Sequence, residues 1–314
     1  MSNQFDVLGL GCAAVDEILY VPNYPPADRK VEVRRRERHC GGLCATALVA
    51  AARLGATCAY AGTLGGDEGS RFVLDTFHRE GVDTRHVVHR PGAGPVRSVI
   101  VVDETRKTRN IFFLIPPLLG ADAKQPAKEI IQRSRVLLID RFGLPGMKRA
   151  ARIARASGVA VVADFENHRT PGLAGLLALA DHLIVSEDFA RAVTGARTPG
   201  AAAQKLWRQD RAAVVVTCGA KGCWFYEGGP AKARHLPAFR VRVVDTTGCG
   251  DVFHGAYAAA LARGLPFVER LRVATATAAL KATQTGGQQG IPRWRVVANF
   301  LRTASVALRI ISFG

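Results

Sequence analysis

Apolar positions along the chain follow two rhythms, and together they predict most of the elements. From residue 127 onward, segments of helical period alternate with short runs that are apolar throughout: helices over 127–133, 146–156 and 173–180, strands over 136–140, 159–164 and 182–185. Strands with no polar side are covered on both faces, so this half predicts a parallel sheet between two helix layers. The run at 5–12 (FDVLGLGC) has the same character and is expected to be another buried strand. The early chain breaks this rhythm. Residues 18–39 carry Pro22, Pro25 and Pro26 before alternating at 30–34, and 96–113 alternates on both sides of a polar turn at 103–107. Such segments predict strands with one exposed face, the second of them a hairpin. Helices are expected over 45–54, stopped by Gly55, and over 70–80 and 268–282, with a basic amphipathic helix at 299–311. A strand is expected over 213–217, and another over 235–244 that runs into a glycine turn and a helix of small residues.

No repeat or low-complexity linker interrupts the 314 residues, and 48% hydrophobic content is enough for a large core, so a single α/β domain over 1–314 is expected. The formal charge of +17 raises nucleic acid as a partner. The arginines are nevertheless scattered, and the densest run, 34–38, is short, which argues for a solvated surface that favours phosphate-bearing ligands. No nucleic-acid partner is expected. No stretch has the length of a membrane span, and the terminal helix has no aromatic anchors, so no membrane partner is expected either. Seven cysteines (12, 40, 44, 58, 218, 223, 249) lack zinc-site spacing and predict free, largely buried thiols. With no basic segment ahead of the first apolar run, a cytoplasmic location is expected.

The chemistry concentrates where Asp245-Thr246-Thr247-Gly248-Cys249-Gly250-Asp251 opens a helix. Two glycines there leave backbone N–H groups without partners at the positive end of the helix dipole, which suits an anion. No Lys follows the second glycine, so this is not the common phosphate loop. An anion cradle beside a lone carboxylate, Asp251, suits phosphoryl transfer to an alcohol; an ordinary glycine loop with Asp251 as a capping charge remains open. Asp16 follows the first strand at the edge where open α/β sheets bind ligands. Gly41 and Gly42 precede a helix and allow close approach to the backbone. Asp140 and Asp164 end their strands on the same edge and are either ligand groups or loop caps.

These motifs resemble the ribokinase-like (PfkB) carbohydrate kinases. The D-T-T-G-C-G-D run matches that family's C-terminal signature, Gly41-Gly42 with Thr46 resembles its N-terminal one, and 62–69 and 81–84 match further runs. The resemblance implies a three-layer α/β/α sandwich with a mostly parallel sheet and a small β-sheet lid over about 17–39 and 96–113, through which two copies form a homodimer. It implies an ATP-dependent kinase with Asp251 as the base and the amides of Gly248, Cys249 and Gly250 as the anion hole. Asp16, Gly41, Gly42, Thr46 (where Asn is usual), Arg109 and Asp140 are then substrate residues. Ser186, Glu187, Thr217, Gly219, Gly222, Thr283 and Gly287 fall at nucleotide positions. Mg2+ is implied with Glu187 serving it through water, because Ser186 and Phe189 stand where the family's N-x-x-E is usual. A monovalent cation beside the Asp245 loop stays open. Local sequence is most similar to the sulfofructose kinase branch, with ketohexokinases second. Phe113 and the Arg141-Phe142 pair stand where those kinases carry sulfonate-binding groups, so the likeness to that branch does not extend to its substrate, and whether a sulfonated sugar is accepted stays open. The expected reaction is phosphorylation of a primary hydroxyl on a small ketose or furanose. A nucleoside kinase, with Phe112 and Phe113 stacking on a base, and a non-catalytic sugar or nucleotide sensor are the alternatives.

Overall fold

A computed structural model describes residues 4–304. The chain begins with β1 (Phe5–Leu10), β2 (Ala14–Val21) and β3 (Arg35–Gly41), then α1 (Leu43–Arg53), β4 (Cys58–Tyr60), β5 (Thr63–Leu64) and α2 (Glu68–Arg79). Next come β6 (Val82–Asp83), β7 (Val88–His89), β8 (Val96–Asp103) and β9 (Thr108–Leu114). Helix and strand then alternate: α3 (Lys128–Gln132), β10 (Ser134–Ile139), α4 (Leu144–Ala156), β11 (Ala160–Asp164), α5 (Leu173–Leu177), β12 (His182–Ser186), α6 (Glu187–Thr194), α7 (Pro199–Leu206) and β13 (Ala213–Thr217). The chain closes with β14 (Cys223–Tyr226), β15 (Arg234–Leu236), α8 (Cys249–Ala262), α9 (Phe267–Lys281) and α10 (Trp294–Thr303).

The main sheet has nine strands in the order β15-β14-β13-β12-β11-β10-β1-β4-β6, parallel from β13 to β6. Strand alternation sends successive side chains to opposite helix layers. Val7, Leu138, Val162, Ile184 and Val215 pack with α1, α8 and α9 on one side. Leu8, Leu137, Val161, Leu183 and Val214 pack with α4 to α7 on the other. Every one of these ten is buried, each stabilising the fold by about 1.5–3 kcal/mol, which is why the strands read as apolar throughout. The expected three-layer sandwich is thus the observed one.

Four strands in the order β3-β2-β8-β9 form a second, smaller sheet. β2 follows β1 closely, so this sheet grows directly out of the first strand of the main one. Salt bridges from Arg36 (2.9 Å) and Arg38 (3.0 Å) to Glu17 tie β3 to β2 and use part of the basic run. The hairpin expected at 96–113 is β8 and β9, paired antiparallel.

Three expectations fail locally. Residues 30–34 alternate but form no strand: β3 starts pairing at Arg35, opposite Tyr20, and ahead of it the Arg34 N–H reaches the Tyr20 carbonyl where β2 is about to end at Val21. The strand expected over 235–244 stops at Leu236, because Pro237 has no N–H to donate. The last helix is α10, earlier than expected, and the part of 299–311 past residue 304 lies outside the described residues. All seven cysteines are free, and five of them are buried, as expected. Among the described residues no helix is long and apolar enough to cross a membrane.

α1 and α8 cross at backbone contact. A Cβ on Gly255 would overlap the Ala47 carbonyl oxygen and lie 2.7 Å from its carbon. Gly255→Val is therefore expected to lower stability by about 1–3 kcal/mol, read as a lower urea midpoint at unchanged slope. An unchanged midpoint would mean that the two helices are not in backbone contact.

Candidate active site

Helix α8 begins at the glycine turn. Gly248 takes a left-handed conformation (φ 73°), and a Cβ there would meet the Gly287 carbonyl oxygen at 3.2 Å and Thr46 Cγ2 at 3.5 Å. The N–H of Cys249 bonds back to the Thr246 carbonyl at 3.2 Å. Among the described residues, the N–H groups of Gly248, Gly250 and Asp251 have no acceptor, and open space surrounds the position a Gly250 Cβ would take. Of the three amides expected to form the anion hole, two are therefore free and one is engaged, while the Asp251 amide joins them.

The loop ahead of this turn is held firmly. Asp245 Oδ1 accepts from the Thr247 N–H (2.8 Å) and Oδ2 from the Gly286 N–H (2.9 Å). The backbone N–H groups of Val244 and Asp245 both donate to the Ala282 carbonyl beyond the end of α9. Arg109 reaches over from β9 in the smaller sheet, the segment expected to be a lid, and donates to Thr247 Oγ1 at 2.6 Å, 3.6 Å from Asp245 Oδ1. Burial alone would raise the Asp245 pKa, but the Thr247 and Gly286 donors and Lys281 hold it below the usual carboxylate range.

The second side of the cleft is built from β2, β3 and α1. Asp16 lies opposite His39 and Ser98 in the lid sheet, and its Oδ2 occupies the space beside Gly41: a Cβ there would stand 2.6 Å away. Burial raises its pKa, against the Ser98 hydroxyl and His39. Gly42 takes φ 94°, with Ala13 and Ala14 backbone atoms where a Cβ would point. Thr46, in the first turn of α1, is buried and accepts a 3.3 Å hydrogen bond from the amide of Gln288, itself only 5% exposed. Thr46 also borders Gly248, so the first turn of α1 packs against the glycine turn that opens α8.

Asp140 is not where a ligand group would be. It is 1% exposed, and its oxygens accept from the N–H groups of Cys12 (2.7 Å) and Phe142 (2.8 Å), clamping the ends of β1 and β10. Gly11 makes room for it, since a Cβ there would collide with Asp140 Oδ2. Burial pushes its pKa up to about 6 in spite of those two bonds.

Three more carboxylates gather beside it. Burial, then the charges of Asp164, Glu166 and Asp140, raise the Asp251 pKa well above the carboxylate range, with Lys281 opposing. Burial and Glu166 do the same to Asp164. His254, one turn along α8 from Asp251, stands among them with both ring nitrogens facing oxygens. Nδ1 is 2.8 Å from the Gly250 carbonyl and 3.3 Å from Asp164 Oδ2, and Nε2 is 2.9 Å from the Ile184 carbonyl. A neutral ring carries one N–H, so only the protonated form donates on both sides. Burial lowers its pKa, partly offset by the two carbonyls and Glu166.

A cavity of about 670 Å3 opens on the other side of the glycine turn, large enough for a nucleotide-sized ligand. Thr217, Gly219 and Gly222 line it as expected, together with Cys249 and Gly250. Ser186, Glu187, Thr283 and Gly287 do not. Ser186 caps α6 by accepting from the Phe189 N–H, Thr283 bonds to the Leu280 carbonyl at the end of α9, and Gly287 packs on Gly248. Glu187 sits next to Ser186, which pairs with Thr217, and is 3.8 Å from Arg191. Much of the wall is Phe239, Val241 and Val243, from the segment read as strand. Gln288, Glu166, His254 and Lys281 also went unread; the available signals were a second acid two residues after Asp164 and a lone Lys within an otherwise small and apolar A-A-L-K run.

Comparison with known proteins agrees with this fold. The family model described as pfkB family carbohydrate kinase matches residues 5–294. The chain is 28% identical over 312 residues to a ribokinase of Haemophilus influenzae, covering 94% of this chain and 98% of that protein. It is 29% identical over 293 residues to fructokinase-1 of Zea mays, covering 84% and 88%. In structure it is similar to a ribokinase of Arabidopsis thaliana complexed with ribose and ATP, with a TM-score of 0.83, 22% identity and coverage of 96% and 99%. The chain belongs to the PfkB family of carbohydrate kinases and is a phosphotransferase acting on a sugar hydroxyl.

Proposed function

We propose that this enzyme transfers the γ-phosphoryl group of ATP to a primary hydroxyl of a small ketose or furanose. The observation that carries this reading is the start of α8, where unpartnered N–H groups next to Asp251 border the 670 Å3 cavity through Cys249 and Gly250 and meet the small sheet through Arg109 on Thr247. ATP occupies that cavity against Thr217, Gly219 and Gly222; that ATP is the nucleotide is supported by the Arabidopsis ribokinase of the same fold, complexed with ribose and ATP. The sugar lies between Asp16, Gly42 and the glycine turn. Asp251 accepts the hydroxyl proton as that oxygen attacks phosphorus. The Gly248, Gly250 and Asp251 amides hold the charge that builds on the phosphoryl oxygens, in a site preorganised by the helix dipole. Arg109 closes the lid onto the same loop.

Among the described residues no group of three or more His, Cys, Asp and Glu side chains is arranged to hold a metal ion. Mg2+ keeps several waters and relies on phosphate oxygens with one or two carboxylates. Glu187, an oxygen donor beside Thr217, fits such a role through water. The metal, when bound with ATP, neutralises phosphate charge.

The lid also offers a partner surface for a second copy of the chain. On its edge strand β9, Phe112, Phe113 and Leu114 are 54%, 65% and 67% exposed, an apolar stretch that pairing of two lids would cover.

Asp251→Asn should reduce turnover by about 10²–10⁴-fold and leave ATP affinity nearly unchanged. Normal turnover would remove Asp251 as the base, and an ADP-release panel of ketoses, aldoses and nucleosides identifies the acceptor. Because the base must be unprotonated and its pKa is raised, kcat/KM should fall on acidification at a higher pH than an ordinary carboxylate would give. Glu166→Gln removes a charge that raises that pKa, so the acid limb should move to lower pH; a limb that stays put would mean the two groups are not coupled. Sedimentation should find a dimer that Leu114→Glu dissociates, whereas a monomeric wild type would refute lid pairing.

A further inference from the structure

The monovalent cation left open beside the Asp245 loop does not fit the residues found there. The place is already held by Lys281, the last residue of α9. Its side chain is fully buried, and its ammonium donates to the Asp245 carbonyl oxygen at 3.0 Å. It stands at the negative end of the α9 dipole, where a cation is favoured. Its charged neighbours include Asp245 and Asp251, with Cys249 beside it. The oxygens a metal ion would need are committed elsewhere. Both Asp245 carboxylate oxygens accept backbone N–H bonds, the Ala282 carbonyl accepts two, and the Asp245 carbonyl takes the ammonium. Arg109 adds a second fixed positive charge 3.6 Å from Asp245. A third cation would enter a site that already holds two resident cations and whose nearest oxygens are engaged.

We propose that Lys281 is a built-in substitute for a monovalent cation. It is a positioning residue that holds the Asp245 loop, and through it the glycine turn, so that the enzyme needs no added K+ or Na+. The ammonium is tethered by its own helix, so the loop is set at all salt compositions. The catalytic part of this proposal rests on the kinase reading above; the cation-binding part does not.

The test compares KCl with tetramethylammonium chloride at equal ionic strength, using the full chain. For the wild type, unfolding temperature, ADP affinity and turnover are expected to be the same in both salts. A saturable rise in any of them that is specific to K+ would overturn the proposal. Lys281→Met is expected to lose about 10²-fold in turnover and to recover part of it when K+ or NH4+ is added. Full activity of the variant without added cation, or a loss that no monovalent cation restores, would also overturn it. Should the variant fail to fold, the wild-type salt comparison decides alone. Should no sugar be phosphorylated, the kinase reading fails, while unfolding and ADP binding still report on Lys281.

Discussion

Gathering carboxylates at one edge of a sheet is electrostatically unfavourable, and much of this molecule is arranged around meeting that constraint. Asp140, Asp164, Glu166 and Asp251 crowd the ends of the parallel strands and the start of α8, each disfavouring the charge of the next. The fold answers three of them differently. Asp140 receives two backbone N–H groups and becomes a clamp between β1 and β10. Asp164 faces His254, whose second nitrogen is anchored on β12. Asp251 lies at a helix N-terminus with Lys281 near it. What is left after these compensations is a carboxylate with an affinity for protons, set next to unsatisfied amides. That pairing is what a hydroxyl-activating group requires.

The layers were legible because burial on both faces writes itself into the sequence as unbroken apolar runs, as in β10 to β13. The glycine turn that opens α8 was legible as a turn into a helix, and Thr217, Gly219 and Gly222 as a glycine turn after a strand, which now borders the cavity. Position along a strand misled where it stood in for side-chain direction: Asp140 ends its strand on the ligand edge, yet turns inward to Cys12 and Phe142. Alternation misled at 30–34 and 237–244, because it records exposure of one face and not the presence of a partner strand. Lys281, His254 and Gln288 were missed for a different reason. Each acts on a group far away in sequence, through contacts that only the folded chain creates.

The loop before α8 works as a junction. It is pinned from below by α9, through the Ala282 carbonyl and Lys281, and from above by Arg109 of the lid. Small motions of either neighbour therefore reach the glycine turn directly, because Gly248 follows Thr247 in the chain. Gly286, beside Gln288 and Gly287, completes the ring by donating to Asp245. The residues that fix the turn thus come from three separated parts of the sequence, and the turn's geometry is a property of the whole assembly.

Asp16 rides on β2, a strand of the lid, while Asp251 belongs to α8 in the body. Under the proposed chemistry, the group that grips an acceptor and the group that activates it therefore belong to different parts of the fold. A lone water has too few hydroxyls to engage both, whereas a polyol can, and this division of labour would spare ATP from idle hydrolysis.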